Sequence, residues 1–355
     1  MSAALHLLNI AKFALGGTTP LTGPAKVQWE LTYRCNLKCE HCHIWQIKDF
    51  KDELTTDEVL RILGELKAAG TRHVSFSGGE MFMRKDVFDI IRHAKSLGFK
   101  VGANSNGWVI DEAMAGRVAS SGLDMVYISV DGSSPEVHDR IRGVNGSHAR
   151  AIRAIQALKA HPSPKVFVNT TINDENAQDI VALVELLDGL GIDGITMEPI
   201  HCFEKYGPAS HLVLTESHLP VLREQLEEAQ RRFPDRFPHL KEYFSEFGTF
   251  VTSPADLYRY RCVAAYASIQ IHPNGDVYPC PAAFKKMGSL KERSFEEIWT
   301  GEAAAALRRE IKAGEHPICW VTCVGPLNVY LSYVHPARFH KLAQPRLIRH
   351  MLRKA

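Results

Sequence analysis

Eight cysteines stand at positions 35, 39, 42, 202, 262, 280, 319 and 323, in two groups at opposite ends of the chain with one between. Disulfide ladders serve small secreted chains that lack a core, whereas these 355 residues, 45% of them hydrophobic, can bury their own. The thiols therefore read as metal ligands. Cys35, Cys39 and Cys42 form a C-x3-C-x2-C loop directly after the strand-like alternation Val27, Trp29, Leu31, Tyr33. Three thiolates on one short loop converge on one metal centre. Tetrahedral zinc would take a fourth ligand, which His43 can supply. An iron-sulfur cube on three cysteines leaves one iron open to a small molecule, and the spacing favours that.

The second group starts at Cys262. Pro273-Asn274-Gly275-Asp276 lies between two short β-prone runs and marks a hairpin that brings Cys262 and Cys280 to one end. A helix over 295–311 then returns the chain to Cys319 and Cys323. Four thiolates suit one closed site, either structural zinc or a fully ligated cluster.

Between the groups the chain alternates strands and helices. Thr55 with Glu58 caps a helix over 56–69, and a strand over 73–76 follows, ending in Ser77-Gly78-Gly79-Glu80. Strands over 100–103, 125–130, 166–172 and 194–199 recur after helices over 86–96, after residue 107 and over 175–190, with a last polar helix after Thr215. Six units spaced by about 25 to 35 residues imply parallel strands with right-handed crossovers, an incomplete barrel. Cys42, Glu80, Asn106, Asp131 and Met197 all fall at carboxyl ends of strands, where such folds bind ligands.

The cysteine loop, with His41 in the aromatic position, resembles the cluster loop of the radical SAM superfamily. Gly78-Gly79-Glu80 resembles its GGE motif, here followed by Met81 where Pro is usual, and Asn104-Ser105-Asn106-Gly107 resembles its third-strand end. Ser129 and Asp131-Gly132 with His138-Asp139-Arg140-Ile141-Arg142-Gly143 resemble the S-x-DG and HDxxRG passage of members carrying C-terminal cluster domains. The Cys262–Cys280 hairpin is similar to the start of SPASM and twitch extensions. The four remaining cysteines match the twitch count of one auxiliary cluster, although the final C-x3-C replaces the usual C-x2-C.

The resemblance covers roughly residues 27 to 325. It implies an α/β fold, a partial (βα)6 TIM-like barrel with a small twitch-type cluster domain. The divisions are an apolar segment 1–24, the barrel 25–235, a linker helix region 236–257, the auxiliary domain 258–330 and a basic tail 331–355. It implies two 4Fe-4S clusters, one on Cys35, Cys39 and Cys42, the other on Cys262, Cys280, Cys319 and Cys323. S-adenosylmethionine (SAM) would be held by His41, Gly78, Gly79, Glu80, Asn104, Ser129, Arg142 and the Met197 backbone, with Glu80 on its amino group and Arg142 on its carboxylate. Glu198, His201 and Cys202 are candidates for catalysis. The implied reaction is reductive SAM cleavage to a 5'-deoxyadenosyl radical and hydrogen abstraction, with electrons from a flavodoxin or ferredoxin.

Charge narrows the partners. Forty-two bases against forty acids give a net +2, and the middle of the chain has no basic stripe with interleaved aromatics, so nucleic acid is not expected. From His316 onward there are six bases and no acid, leaving a body of net −4. Within that tail Leu347, Ile348, Met351 and Leu352 share one helical face, so weak contact with an anionic membrane surface is expected of a cytoplasmic protein. No apolar run is long enough to span a bilayer, and the start of the chain does not read as a signal peptide. A peptide, a small polar molecule and a lipid stay open as substrates. A noncatalytic zinc scaffold is the alternative of another class.

Overall fold

The computed structural model describes residues 3–202, 210–282 and 284–334. Helix α1 (Ala3–Ala14) precedes six strand-helix units: β1 (Lys26–Glu30) and α2 (Thr56–Ala68), β2 (His73–Ser77) and α3 (Val87–Ser96), β3 (Lys100–Ser105) and α4 (Glu112–Ser120). β4 (Met125–Ser129) is followed by α5 (Pro135–Arg142) and α6 (Ser147–Lys159), β5 (Lys165–Ile172) by α7 (Ile180–Gly189), and β6 (Gly194–Pro199) by α8 (Leu219–Arg232) and α9 (Lys241–Thr252). The C-terminal part holds β7 (Ser268–Ile271), β8 (Asp276–Tyr278), β9 (Gly288–Ser289), α10 (Phe295–Thr300), α11 (Glu302–Ala313) and α12 (Gly325–Val334).

Among the described residues one sheet runs in the order β6-β5-β4-β3-β2-β1-β7-β8-β9. The pairs from β1 to β6 are parallel, as the spacing predicts. Alternate side chains settle the layers. Val27, Trp29 and Leu31 are buried in the outer core with Val59, Ile62 and Leu66 of α2, while Gln28 and Glu30 line the barrel interior. Both faces of a parallel sheet are covered in this way.

The hairpin joins the barrel sheet. β7 pairs in parallel with β1, Lys26 opposite Ser268 through Trp29 opposite Ile271, so the auxiliary segment continues the barrel sheet. This removes the open edge that β1 would otherwise present. The turn is where Asn-Gly placed it, and β7 and β8 are antiparallel. The region 236–257 holds α9, which buries Tyr243, Phe244 and Phe247.

Two helices are shorter than the sequence suggests. The one expected from residue 175 starts at Ile180, because Asn173 and Asn176 divert the backbone into a turn: Asn176 Oδ1 accepts from Asn173 N at 2.8 Å and Asn173 Oδ1 from Glu175 N at 3.0 Å. The one over 295–311 breaks at Gly301, whose extended backbone separates α10 from α11. The capping box at Thr55 and Glu58 forms as expected. The amphipathic segment over 346–354 lies outside the described residues. No described helix is long and apolar enough to cross a membrane.

Candidate active site

The cysteine loop leaves β1 and is clamped on two sides by backbone. Gly79 N donates to Thr32 O at 2.8 Å and Glu80 N to Arg34 O at 2.7 Å, at the end of β2. A side chain on Gly79 would put its Cβ 2.3 Å from Arg34 O, and Gly78, at φ +142, meets Thr32 O just as closely. The glycine pair is thus required by the loop itself. On the other side Lys38 N and Glu40 N donate to Arg142 O and Ile141 O at the end of α5, and a Cβ on Gly143, at φ +67, would strike Lys38 O.

The DG and HDxxRG passage builds this second clamp. Asp131, fully buried, accepts from Thr171 N at 2.9 Å and forms an ion pair with Arg142 at 2.7 Å, held off the hydrogen-bond line. Its backbone N–H donates to His138 Nδ1 at 3.1 Å, while Asp139 accepts from Gly146 N, Ser147 Oγ and His148 N, anchoring the start of α6. Arg142 Nη1 lies 3.9 Å from Cys39 Sγ. The guanidinium is buried beside the loop rather than forming an exposed salt bridge.

A cavity of about 350 Å³ opens here. Cys35, Cys39, His41 and Cys42 line it, with Gly78, Gly79, Asn104, Ser129 and Arg142, so most of the expected SAM contacts are brought together. Glu80 sits just behind, fully buried, its carboxylate accepting from Phe82 N, Ser105 Oγ and Asn106 N, and burial pushes its pKa up to about 7. Met197 is buried in the core and does not reach the wall; its carbonyl accepts from Tyr243 Oη at 3.1 Å. Glu198 and His201 line the cavity, but each also binds the Cys319–Cys323 loop. Cys202 is exposed and borders a separate apolar cavity with Val213, Phe250 and Ile318.

Several lining residues were not singled out from the sequence: Gln28, Glu30, Asn169, Thr171, Gln270 and Thr322. All but Thr322 are polar members of alternations in strands that bury both faces, and that is the signal that marks them.

Both thiol sets fit clusters. All eight cysteines are free. Burial raises the pKa of Cys35 to about 11 and of Cys42 to about 12, so loading the loop releases protons. His41 Nδ1 is buried without a hydrogen-bond partner against the same cavity. Cys319 is raised well above the ordinary thiol range, by burial first and then by the electrostatic influence of Cys280, Cys262 and Cys323.

Comparison with known proteins gives this architecture its class. The radical SAM superfamily model matches residues 29–187, and the SPASM iron-sulfur cluster-binding domain matches residues 262–324. The chain is 31% identical over 287 residues to a PqqA peptide cyclase of Granulibacter bethesdensis, spanning 78% of this chain and 73% of that protein. It is 26% identical over 292 residues to an AdoMet-dependent heme synthase of Methanosarcina barkeri, spanning 78% and 82%. Among solved structures, Streptococcus suis SuiB bound to S-adenosylmethionine superposes with a TM-score of 0.67 at 19% identity, covering 85% of this chain and 71% of that one. The chain belongs to the radical SAM superfamily. It is a radical SAM enzyme with a SPASM domain, and SAM and 4Fe-4S clusters are its cofactors.

Proposed function

We propose that this enzyme modifies a peptide, abstracting hydrogen from a carbon held over the SAM cavity and passing the resulting electron to the auxiliary site. One observation carries the substrate class: amide and hydroxyl side chains line the cavity, Gln28, Asn104, Asn169 and Gln270 together with Ser77, Ser129, Thr171 and Thr322. Such groups pair with peptide N–H and C=O. The peptide cyclase relative supports the same reading. A second reading, an iron tetrapyrrole, rests on the heme synthase relative. The lining disfavours it, because tetrapyrrole carboxylates would meet Glu30 and Glu198, and the lining guanidinium of Arg142 is taken by the SAM carboxylate.

Cys35, Cys39 and Cys42 would hold the SAM-binding cluster, and Cys262, Cys280, Cys319 and Cys323 the auxiliary one. When bound, the first supplies the electron that splits SAM into methionine and the 5'-deoxyadenosyl radical. The chain's own residues do the rest. The Gly78-Gly79 backbone lets SAM approach beside the loop. Arg142, fixed by Asp131, offers its remaining N–H edge to the SAM carboxylate. The buried walls of β4 to β6 exclude water from the radical. The cytoplasm supplies the setting, and a flavodoxin or ferredoxin the electrons.

Substrate-stimulated release of 5'-deoxyadenosine by reduced holoenzyme tests the substrate class. A peptide fraction of cell extract should stimulate it and lose that effect after protease digestion. Stimulation by Fe-coproporphyrin III with none from peptides would transfer the reading to tetrapyrroles.

A further inference from the structure

Two polar groups at the end of β6 do something the reaction outlined above does not use. Glu198 Oε2 accepts from Thr322 N at 2.7 Å and from Thr322 Oγ1 at 2.9 Å. Three residues on, His201 Nε2 accepts from Trp320 N at 2.7 Å. The two backbone N–H groups on either side of Val321 are therefore both bound by side chains of one barrel strand end. Trp320 is held from behind as well: its indole N–H donates to Tyr243 O at 2.8 Å, its carbonyl accepts from Tyr243 Oη at 3.0 Å, and the rings stack at 5.6 Å. The loop so gripped is the C-x3-C segment that ends the auxiliary thiol set. Val321, Thr322 and Cys323 also line the SAM cavity, so one wall is common to both sites.

We infer that Glu198 and His201 are positioning residues that clip the Cys319–Cys323 loop to β6 and thereby fix two of the four ligands of the auxiliary cluster against the SAM cavity. The inference rests on the reading that the four C-terminal thiols hold a cluster. Three features support it. Both acceptors are directed at backbone N–H groups, which any loop sequence would offer but only this loop geometry aligns. The ring nitrogen of His201 can accept only while neutral, and burial lowers its pKa to about 3, keeping it so. The Lys26 side chain of β1 lies within electrostatic reach of both Glu198 and Cys323, so barrel strand, clip and thiol meet at one place. A loop tied at residues 320 and 322 loses the freedom to turn Cys319 and Cys323 outward, as outer partners that orient metal ligands do.

The test uses anaerobically reconstituted full-length holoenzyme, comparing wild type with Glu198→Ala, Glu198→Gln and Thr322→Val. Spin-quantified electron paramagnetic resonance of the reduced protein separates the two clusters, and iron release to a chelator measures how firmly each is held. Glu198→Ala should lose most of the auxiliary signal while the SAM-responsive signal stays. Glu198→Gln, which retains an acceptor oxygen, should restore it. Thr322→Val, nearly isosteric and lacking only the hydroxyl donor, should release auxiliary iron about tenfold faster than wild type, the effect expected from one hydrogen bond to a charged group. Wild-type release from Thr322→Val, or an unchanged auxiliary signal in Glu198→Ala, overturns the clip. If Glu198→Ala fails to fold, Thr322→Val alone decides. A wild type that shows one cluster signal, unchanged by Cys319→Ala, instead refutes the auxiliary cluster itself.

Discussion

Gly79 illustrates how a motif can carry more than its family role. A Gly79→Ala substitution drives its new Cβ into Arg34 O of the cysteine loop, and backbone there has nowhere to yield. The expected outcome is a folded protein that reconstitutes with roughly half the wild-type iron, because only the loop site is lost; full iron content would contradict the clamp. Arg142 tells a related story. Its resemblance role is a SAM contact, but the buried partner Asp131 makes removal costly in itself: Arg142→Ala leaves an unpaired buried carboxylate and should destabilise the fold by about 3 to 5 kcal/mol. Urea denaturation reads this directly, and a loss below about 1 kcal/mol would mean the pair is not buried as described. The sequence could name both residues but not these duties, since the contacting atoms at Thr32, Arg34 and Asp131 lie far from them along the chain or belong to backbone.

Elements explain the pH behaviour. His138 in α5 accepts the Asp131 N–H, and His201 beyond β6 accepts the Trp320 N–H; burial pushes both pKa values down to about 3. An unfolded histidine titrates near 6.5. Between about 6.5 and 3 the unfolded chain therefore binds more protons, and stability falls as the pH falls through that window. At pH 5 each ring contributes a loss of about 2 kcal/mol. Denaturation midpoints should drop between pH 7 and pH 5, with a slope smaller by about one proton in His138→Gln; a flat profile would contradict neutral buried rings. The helices were legible where periodicity and capping agree, as at Thr55 with Glu58. They were not legible where Asn173 and Asn176 outbid the helix with side-chain bonds to backbone, or where Gly301 turned extended.

At the scale of the whole molecule, β1 is the shared element. Its carboxyl end launches the SAM-site thiols, its free edge pairs with β7, and β7 begins the hairpin that carries Cys280. The fold class was readable from strand spacing, and the thiol grouping from cysteine positions. The β1–β7 register was not, because a pairing across some 240 residues leaves no local pattern. The polar residues inside the barrel escaped for another reason: each alternates with apolar neighbours as many strand residues do, and its meaning appears only when Gln28, Asn169 and Gln270 line one cavity. The joint sheet makes Trp320, stacked on Tyr243, a keystone between barrel and auxiliary loop. Trp320→Ala should cost about 3 to 5 kcal/mol and loosen the auxiliary site together with α9. Hydrogen exchange confined to the 319–323 loop, with α9 unaffected, would argue against that coupling.

The central claim is that the three-thiol loop drives SAM cleavage in an enzyme that also carries a second, separately held cluster. The most direct measurement is 5'-deoxyadenosine formed from SAM by reduced holoenzyme, taken with the iron content of the same samples. Wild type should hold about eight irons and release 5'-deoxyadenosine, whereas Cys39→Ala should keep about four irons on the auxiliary thiols and release none. SAM cleavage that survives Cys39→Ala, or a wild type with four irons that the loss of Cys262, Cys280, Cys319 and Cys323 leaves unchanged, would contradict it.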